Sequence, residues 1–251
     1  MSNILEIKNI SKTYLTDAGD QVHALENLSL SIPKNKLTIM IGQTGCGKST
    51  LLNIIAGLDK KFSGNLEFAN KEKSPINISF VFQHYTLFPW RNIINNVSFS
   101  LEMRKMNKAK RYEIAEDLLA KVGLVGFEKS YPHELSGGMR QRAAIAQALA
   151  KQPDLLLLDE PFGALDDATR TELQKTFLKL METENITALL VTHNIEEALL
   201  MGDHVCVVSP RPGNISSEYK LATQHPRDSL SPEFVNLFIK LRKNISEKYN
   251  D

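Results

Sequence analysis

Cysteine is almost missing from this chain: Cys46 and Cys206 are the two among 251 residues. Two thiols so far apart make no disulfide framework, and a reducing cytoplasm is the simpler setting for them. A charge excess is missing too. The 30 lysines and arginines meet 29 aspartates and glutamates, for a formal net charge of +1. That balance removes the electrostatic case for a dedicated nucleic-acid binder. No apolar run approaches the roughly 20 residues of a membrane-spanning helix. The N-terminal segment sets Glu6 and Lys8 where a secretory signal would need an apolar stretch. The chain alone is therefore not expected to cross a bilayer. Internal repeats, low-complexity segments and a sustained heptad pattern are also lacking.

What is present is an ordinary globular composition, 42% apolar and 24% charged. The chain is long enough to bury a large core without disulfides. Ile4 to Ile10 and Val22 to Ile32 read as strands around a polar turn, Thr16 to Asp20. Leu37 to Ile41 is a short apolar run that leads into glycine, as a buried strand would, and helical spacing follows from Lys48 to Leu58. Leu66 to Phe68 and Ile78 to Phe82 read as further strands. From about residue 92 to 150 the pattern is mostly helical, with Leu118, Leu119 and Val122 on one apolar face. This predicts a helical lobe inserted between strands. Strands return at Leu155 to Leu158 and at Thr187 to Val191, followed by helical spacing over Thr169 to Met181 and Ile195 to Met201. Asn194 with Glu197 fits a capping box. Val205 to Val208 and Ile215 to Tyr219 read as closing strands, and a C-terminal helix is expected from Ser231 to about residue 248. The alternation predicts an α/β fold with a largely parallel central sheet, one domain over residues 1–251.

Gly42-Gln-Thr-Gly-Cys-Gly-Lys-Ser49 fits G-x-x-x-x-G-K-[ST] between a predicted strand and a predicted helix. Glycines let the backbone curl so that successive N–H groups point at one phosphate, and the following helix adds its positive end. Lys48 can reach the β- and γ-phosphates of a nucleotide, and the Ser49 hydroxyl can ligate Mg2+. Cys46 lies inside the loop, where oxidation or alkylation is expected to crowd the phosphates. Farther on, four leucines lead into Asp159 and Glu160. The two acids thus fall at the C-terminal end of a buried strand, where open α/β sheets bind ligands. Asp159 suits Mg2+, and Glu160 suits polarising an attacking water. Phosphoryl transfer asks the protein mainly for positioning and charge neutralisation.

Leu135-Ser-Gly-Gly-Met-Arg-Gln141 stands between the phosphate loop and the Asp-Glu strand and resembles the signature motif of ABC ATPases. Other elements of that family follow in its order. Tyr14 resembles the aromatic residue that stacks on adenine. Gln83 resembles the glutamine that contacts the metal or attacking water and senses a permease. Pro161 to Asp166 resembles the loop that couples two active sites, and His193 the switch histidine at the γ-phosphate. The resemblance covers nearly the whole chain. It implies a P-loop NTPase core with a mostly parallel central sheet, an antiparallel β subdomain and an inserted α-helical subdomain. It implies ATP and Mg2+ as cofactors, and a homodimer. Gly42, Gln43, Thr44, Gly45, Cys46, Gly47, Lys48, Ser49 and Thr50 of one subunit would face Ser136, Gly137 and Gly138 of the other. Gln141 and Asp166 would complete the nucleotide site. Glu160, His193, Gln83 and Lys48 are the catalytic residues so implied, and Ser49, Gln83 and Asp159 the metal ligands.

Two stretches narrow the resemblance. Leu87-Phe-Pro-Trp-Arg-Asn92 is similar to a permease-facing segment of importers, and exposed aromatics such as Phe88 and Trp90 fit an interface. Ser209-Pro-Arg-Pro-Gly-Asn-Ile215 resembles a segment of the nitrate, sulfonate and taurine importer group, as do Pro226-Arg-Asp228 and Ser231-Pro-Glu-Phe234. Asn214, where that group commonly has a basic residue, and Gln43-Thr44 in the phosphate loop depart from the pattern. The implied partners are an integral membrane permease and, indirectly, an external solute-binding protein. The chain would sit peripherally on the cytoplasmic face of the membrane, and no nucleic acid is expected. After the last predicted helix no regulatory β-domain is expected. An ATPase for export or lipid movement is the alternative, since the permease would tell them apart. Non-transport ABC ATPases fit less well: DNA-repair members carry a long coiled coil, and translation members carry two ATPase domains, whereas one phosphate loop is present here.

Overall fold

Residues 3–15 and 21–33 mix buried and exposed positions, as happens when one face of a sheet is packed and the other is wet. A computed structural model describes residues 2–69, 76–84, 86–222 and 225–249. In chain order the elements are β1 (Asn3–Leu15), β2 (Gln21–Pro33), β3 (Leu37–Ile41), α1 (Lys48–Ile55), β4 (Ser63–Phe68), β5 (Ile78–Val81), α2 (Ile93–Val97), α3 (Phe99–Met103), α4 (Lys108–Lys121), α5 (Gly137–Ala150), β6 (Leu155–Asp159), α6 (Asp167–Thr183), β7 (Ala188–Thr192), α7 (Ile195–Met201), β8 (His204–Val208), β9 (Ile215–Lys220) and α8 (Pro232–Tyr249). They group into two compact units, Met1–Ile76 with Thr187–Asp251, and Asn77–Ile186.

The first unit holds two sheets. One is antiparallel, in the order β2-β1-β4. In the other, β3 is flanked by β7 and β8, both parallel to it, and β9 closes antiparallel on β8. Every residue of β3, β7 and β8 is buried. Strands enclosed on both faces read as continuous apolar runs, and each buried leucine or isoleucine contributes about 1.5–3 kcal/mol. Strand β1 runs to Leu15, past the expected end at Ile10. Asn9 and Asn27 adopt left-handed backbone at φ 52° and 49°, and the register shifts beside them. Such a bulge breaks the period of two on which the sequence reading relied.

The second unit pairs β5 with β6 in parallel and packs α2 and α4 on α5. Ala143, Ala144, Ala146 and Ala150 keep the buried side of α5 slim, and Leu118, Leu119 and Val122 are buried as expected. The helical stretch is broken by caps. Asn92 Oδ1 accepts from the Asn95 N–H at 3.1 Å, Asn107 Oδ1 from the Ala109 N–H at 2.8 Å, and Ser136 Oγ from the Met139 N–H at 3.3 Å. A mostly parallel sheet, an antiparallel sheet and a helical region are all present, as the sequence implied. Among the described residues, no helix is long and apolar enough to cross a membrane.

Candidate active site

In the first unit, β3 and β7 lie side by side with Ile41 opposite Thr192. The phosphate loop after β3 and His193 after β7 therefore emerge at the same strand ends. Within the loop, Gly42 and Cys46 are buried, while Gln43, Thr44, Gly45 and Ser49 are exposed and Thr50 is half-buried. Lys48 opens α1. Its Nζ donates to the carbonyls of Gly42 at 2.7 Å and Gln43 at 2.9 Å, and it lies 3.7 Å from Cys46 Sγ. Gly47 has φ +100°, and a Cβ there would stand 2.6 Å from Leu25 Cδ2 and 2.7 Å from the Ala24 carbonyl oxygen. Only glycine fits that junction. Cys46 is 2% exposed, so any group added to its sulfur would have to displace the loop's own atoms. The His193 side chain is exposed.

Tyr14 lies on β1 of the same unit. Its hydroxyl donates to Asp59 Oδ2 at 3.1 Å, and Lys12 Nζ lies 4.6 Å from its ring centroid. Lys12 is itself buried and pairs with Asp59 at 2.7 Å. The residue remains 38% exposed.

In the second unit, β5 and β6 run parallel with Val81 opposite Leu158. Gln83, exposed beyond β5, and Asp159 and Glu160, half-buried at the end of β6, leave those strands at one end. Glu160 sits in left-handed backbone at φ 43°, a conformation that costs a non-glycine residue about 1–3 kcal/mol and clusters at functional sites. The loop after it is pinned. Arg170 donates from Nε to the Phe162 carbonyl at 3.2 Å and from Nη2 to that of Leu165 at 2.6 Å. Phe162 is buried edge-on against Phe177, with centroids 6.1 Å apart. Asp166 Oδ1 caps α6 by accepting from the Thr169 N–H at 3.0 Å, and that bond holds its carboxyl below the usual range. Arg170 escaped the sequence reading, because an arginine on a polar helix turn carries no mark of the carbonyls it gathers.

The signature segment begins α5. Ser136 is exposed, and Gly138 packs so closely that a Cβ would stand 2.4 Å from Thr169 Cγ2. Gln141 is 2% exposed, and its Nε2 is buried without a hydrogen-bond partner among the described residues. The expected pair of exposed aromatics divides. Trp90 is 72% exposed, whereas Phe88 is half-buried with its ring 4.7 Å from Phe99. Asn96, missed in the sequence, is wholly buried. Its Oδ1 accepts from the Phe88 N–H at 2.7 Å, and its Nδ2 donates to the carbonyls of Phe88, Arg91 and Asn92 at 2.9–3.1 Å.

The chain is similar to known proteins over most of its length. Residues 25–163 match the family described as ABC transporter. An uncharacterized ABC transporter ATP-binding protein of Methanocaldococcus jannaschii is 45% identical over 92% of this chain and 87% of its own length. The taurine import ATP-binding protein TauB of Escherichia coli O157:H7 is 46% identical over 82% of this chain and 81% of its own. Among solved structures, a dimeric ATP-binding cassette in a post-hydrolysis state, bound to ADP and Pi, superposes with a TM-score of 0.76 at 32% identity, covering 88% of this chain and all of that one. The chain belongs to the ABC transporter family and is an ATP-binding, ATP-hydrolysing subunit of such a transporter.

Proposed function

We propose that the chain is the homodimeric ATPase of an importer for a small sulfonate-like solute, and that the residues gathered at the strand ends carry its chemistry. The observation that bears most weight is the placement of the candidate groups. The phosphate loop and His193 follow the parallel pair β3 and β7, and Gln83 with Asp159 and Glu160 follows the parallel pair β5 and β6. These are the strand ends at which α/β sheets bind ligands.

In this reading the loop N–H groups from Gly42 to Thr50 and the Lys48 ammonium hold the β- and γ-phosphates, Tyr14 stacks on the adenine, and His193 meets the γ-phosphate. Glu160 polarises the attacking water. Ser49, Asp159 and Gln83 offer a hydroxyl, a carboxylate and an amide oxygen, the hard donors that Mg2+ prefers. Mg2+ held there would neutralise charge on the phosphates. The exposed Ser136 hydroxyl and the N-terminal turn of α5 suit the γ-phosphate bound by a second subunit. The dimeric state of the related ADP-bound cassette supports that pairing. The taurine-import relative and the Ser209 to Ile215 segment support the importer reading, with a membrane permease and an external binding protein as partners and the cytoplasmic membrane face as location.

Glu160→Gln tests the chemistry. The variant is expected to bind MgATP as the wild type does and to turn over at least ~100-fold more slowly, the lower range for loss of a general base. Phosphate release at a near-normal rate would remove Glu160 from that role.

A further inference from the structure

The segment Ser209 to Asn214 joins β8 to β9, and none of the nucleotide-binding or catalytic roles above uses it. It closes on itself: the Ser209 N–H donates to the Asn214 carbonyl at 2.8 Å, and the Asn214 N–H donates to Ser209 Oγ at 2.9 Å. It is also stitched to β2. The Gly213 N–H donates to the Ala24 carbonyl at 3.0 Å, and the Glu26 N–H donates to the Gly213 carbonyl at 3.1 Å.

From that anchor two groups reach the phosphate loop. Arg211 donates from both Nε and Nη2 to the Gly45 carbonyl, at 3.1 and 2.9 Å. Gly213 lies so close to the Cys46 carbonyl oxygen that a Cβ would stand 2.0 Å from it. A trans peptide points its C=O and N–H in opposite directions. A carbonyl turned toward the 209–214 segment therefore turns the N–H of the same peptide away from it. This holds for two successive peptides, Gly45–Cys46 and Cys46–Gly47. Their N–H groups are donors of the phosphate loop, and the Cys46 N–H otherwise makes one long bond, 3.4 Å, to the Gln43 carbonyl. A guanidinium on the Gly45 carbonyl also polarises that peptide and strengthens its N–H as a donor.

We propose that the 209–214 turn is a clamp on the back of the phosphate loop, which presets its donors for phosphate, and that Arg211 is a positioning residue for nucleotide binding. The inference rests on the phosphate-loop reading above. Arg211 acts through the Gly45 peptide and touches no nucleotide itself. Gly213 is fixed by the close approach, since any side chain would push the Cys46 carbonyl out of line.

The test uses the purified full chain. MgATP affinity by calorimetry, KM, kcat and thermal midpoint are measured for the wild type, Arg211→Ala, Arg211→Lys, Gly213→Ala and Lys48→Ala. Arg211→Ala is expected to weaken MgATP about 5- to 10-fold, the net worth of a typical intramolecular hydrogen bond, since the effect reaches the nucleotide only through the Gly45 peptide. KM should rise in step, kcat should change less than about twofold, and the midpoint should stay near wild type, because the side chain is exposed. Arg211→Lys, able to restore one of the two bonds, should recover part of the affinity. Gly213→Ala should lose more than Arg211→Ala; if it fails to fold, Arg211→Ala alone decides. Wild-type affinity in Arg211→Ala, whatever its midpoint, overturns the clamp. Equal MgATP affinity in wild type and Lys48→Ala would instead remove the phosphate-loop reading on which it stands.

Discussion

At the scale of residues, Lys12, Tyr14 and Asp59 form one hydrogen-bonded cluster. Burial of the Asp59 carboxyl works against its charge, but hydrogen bonds from Lys12, the Lys61 N–H and Tyr14 outweigh it, and the net effect holds its pKa below the usual aspartate range. A carboxyl with a depressed native pKa adds stability that is complete above the unfolded value, about 4, and is lost as pH falls through the native one. The difference in thermal midpoint between wild type and Asp59→Asn should therefore be full above about pH 5 and shrink steadily below pH 4. A difference that did not vary with pH would show that the charge is not what Asp59 contributes. Tyr14 was legible in the sequence because a motif marks it. Asp59 was not, since nothing in the spacing of residues 14 and 59 says that a bulged strand brings them together. Arg170 and Arg211 were illegible for the same reason: their partners are backbone carbonyls, and any sequence supplies those.

At the scale of elements, the strands and the phosphate loop could be read early because burial on both faces writes an unbroken apolar run. Leu37 to Ile41 and Leu155 to Leu158 needed no context. The stretch from 87 to 107 was less readable. There α2 and α3 are five residues each; the Asn92 side chain caps the start of α2, and no side-chain bond caps the start of α3. Asn96 governs this region. It satisfies four backbone groups of the 88–92 loop from a fully buried position, so its removal strands the Phe88 N–H and nearby carbonyls. Asn96→Ala is expected to cost about 2–4 kcal/mol, several unmet buried groups at about 1–3 each, partly relaxed. Denaturant unfolding measures this, and a loss under about 0.5 kcal/mol, typical of a surface change, would show that the loop is held by other means.

For the whole molecule, the outward face matters as much as the site. Trp90 is 72% exposed on a loop that Asn96 holds rigid, and a large aromatic held out in water is the usual anchor of a protein interface. With the chain tagged in its cell and membranes gently solubilised, the wild type should bring down a polytopic permease. Trp90→Glu should lose it while keeping its thermal midpoint. Equal recovery of the permease by both would end the docking role of Trp90, and recovery of ribosomes or repair factors instead would end the transport assignment. The sequence named the family through motifs in their order, but it could not show which aromatics of that loop face out, because exposure follows from packing against Phe99 and Asn96.

The order of strands has a consequence for how the chain is made. Strand β3, which carries the phosphate loop, pairs Leu37 with Ala188 and Thr38 with His204. Both neighbours are therefore synthesised roughly 150 residues after it. At ~5–20 residues per second, a ribosome needs about 8–30 s to supply them. For that interval a five-residue strand with four apolar residues waits with both edges unpaired, in the state that most invites misassociation. The stretch that gives the finished site its firm base is thus the one most in need of shielding on the nascent chain.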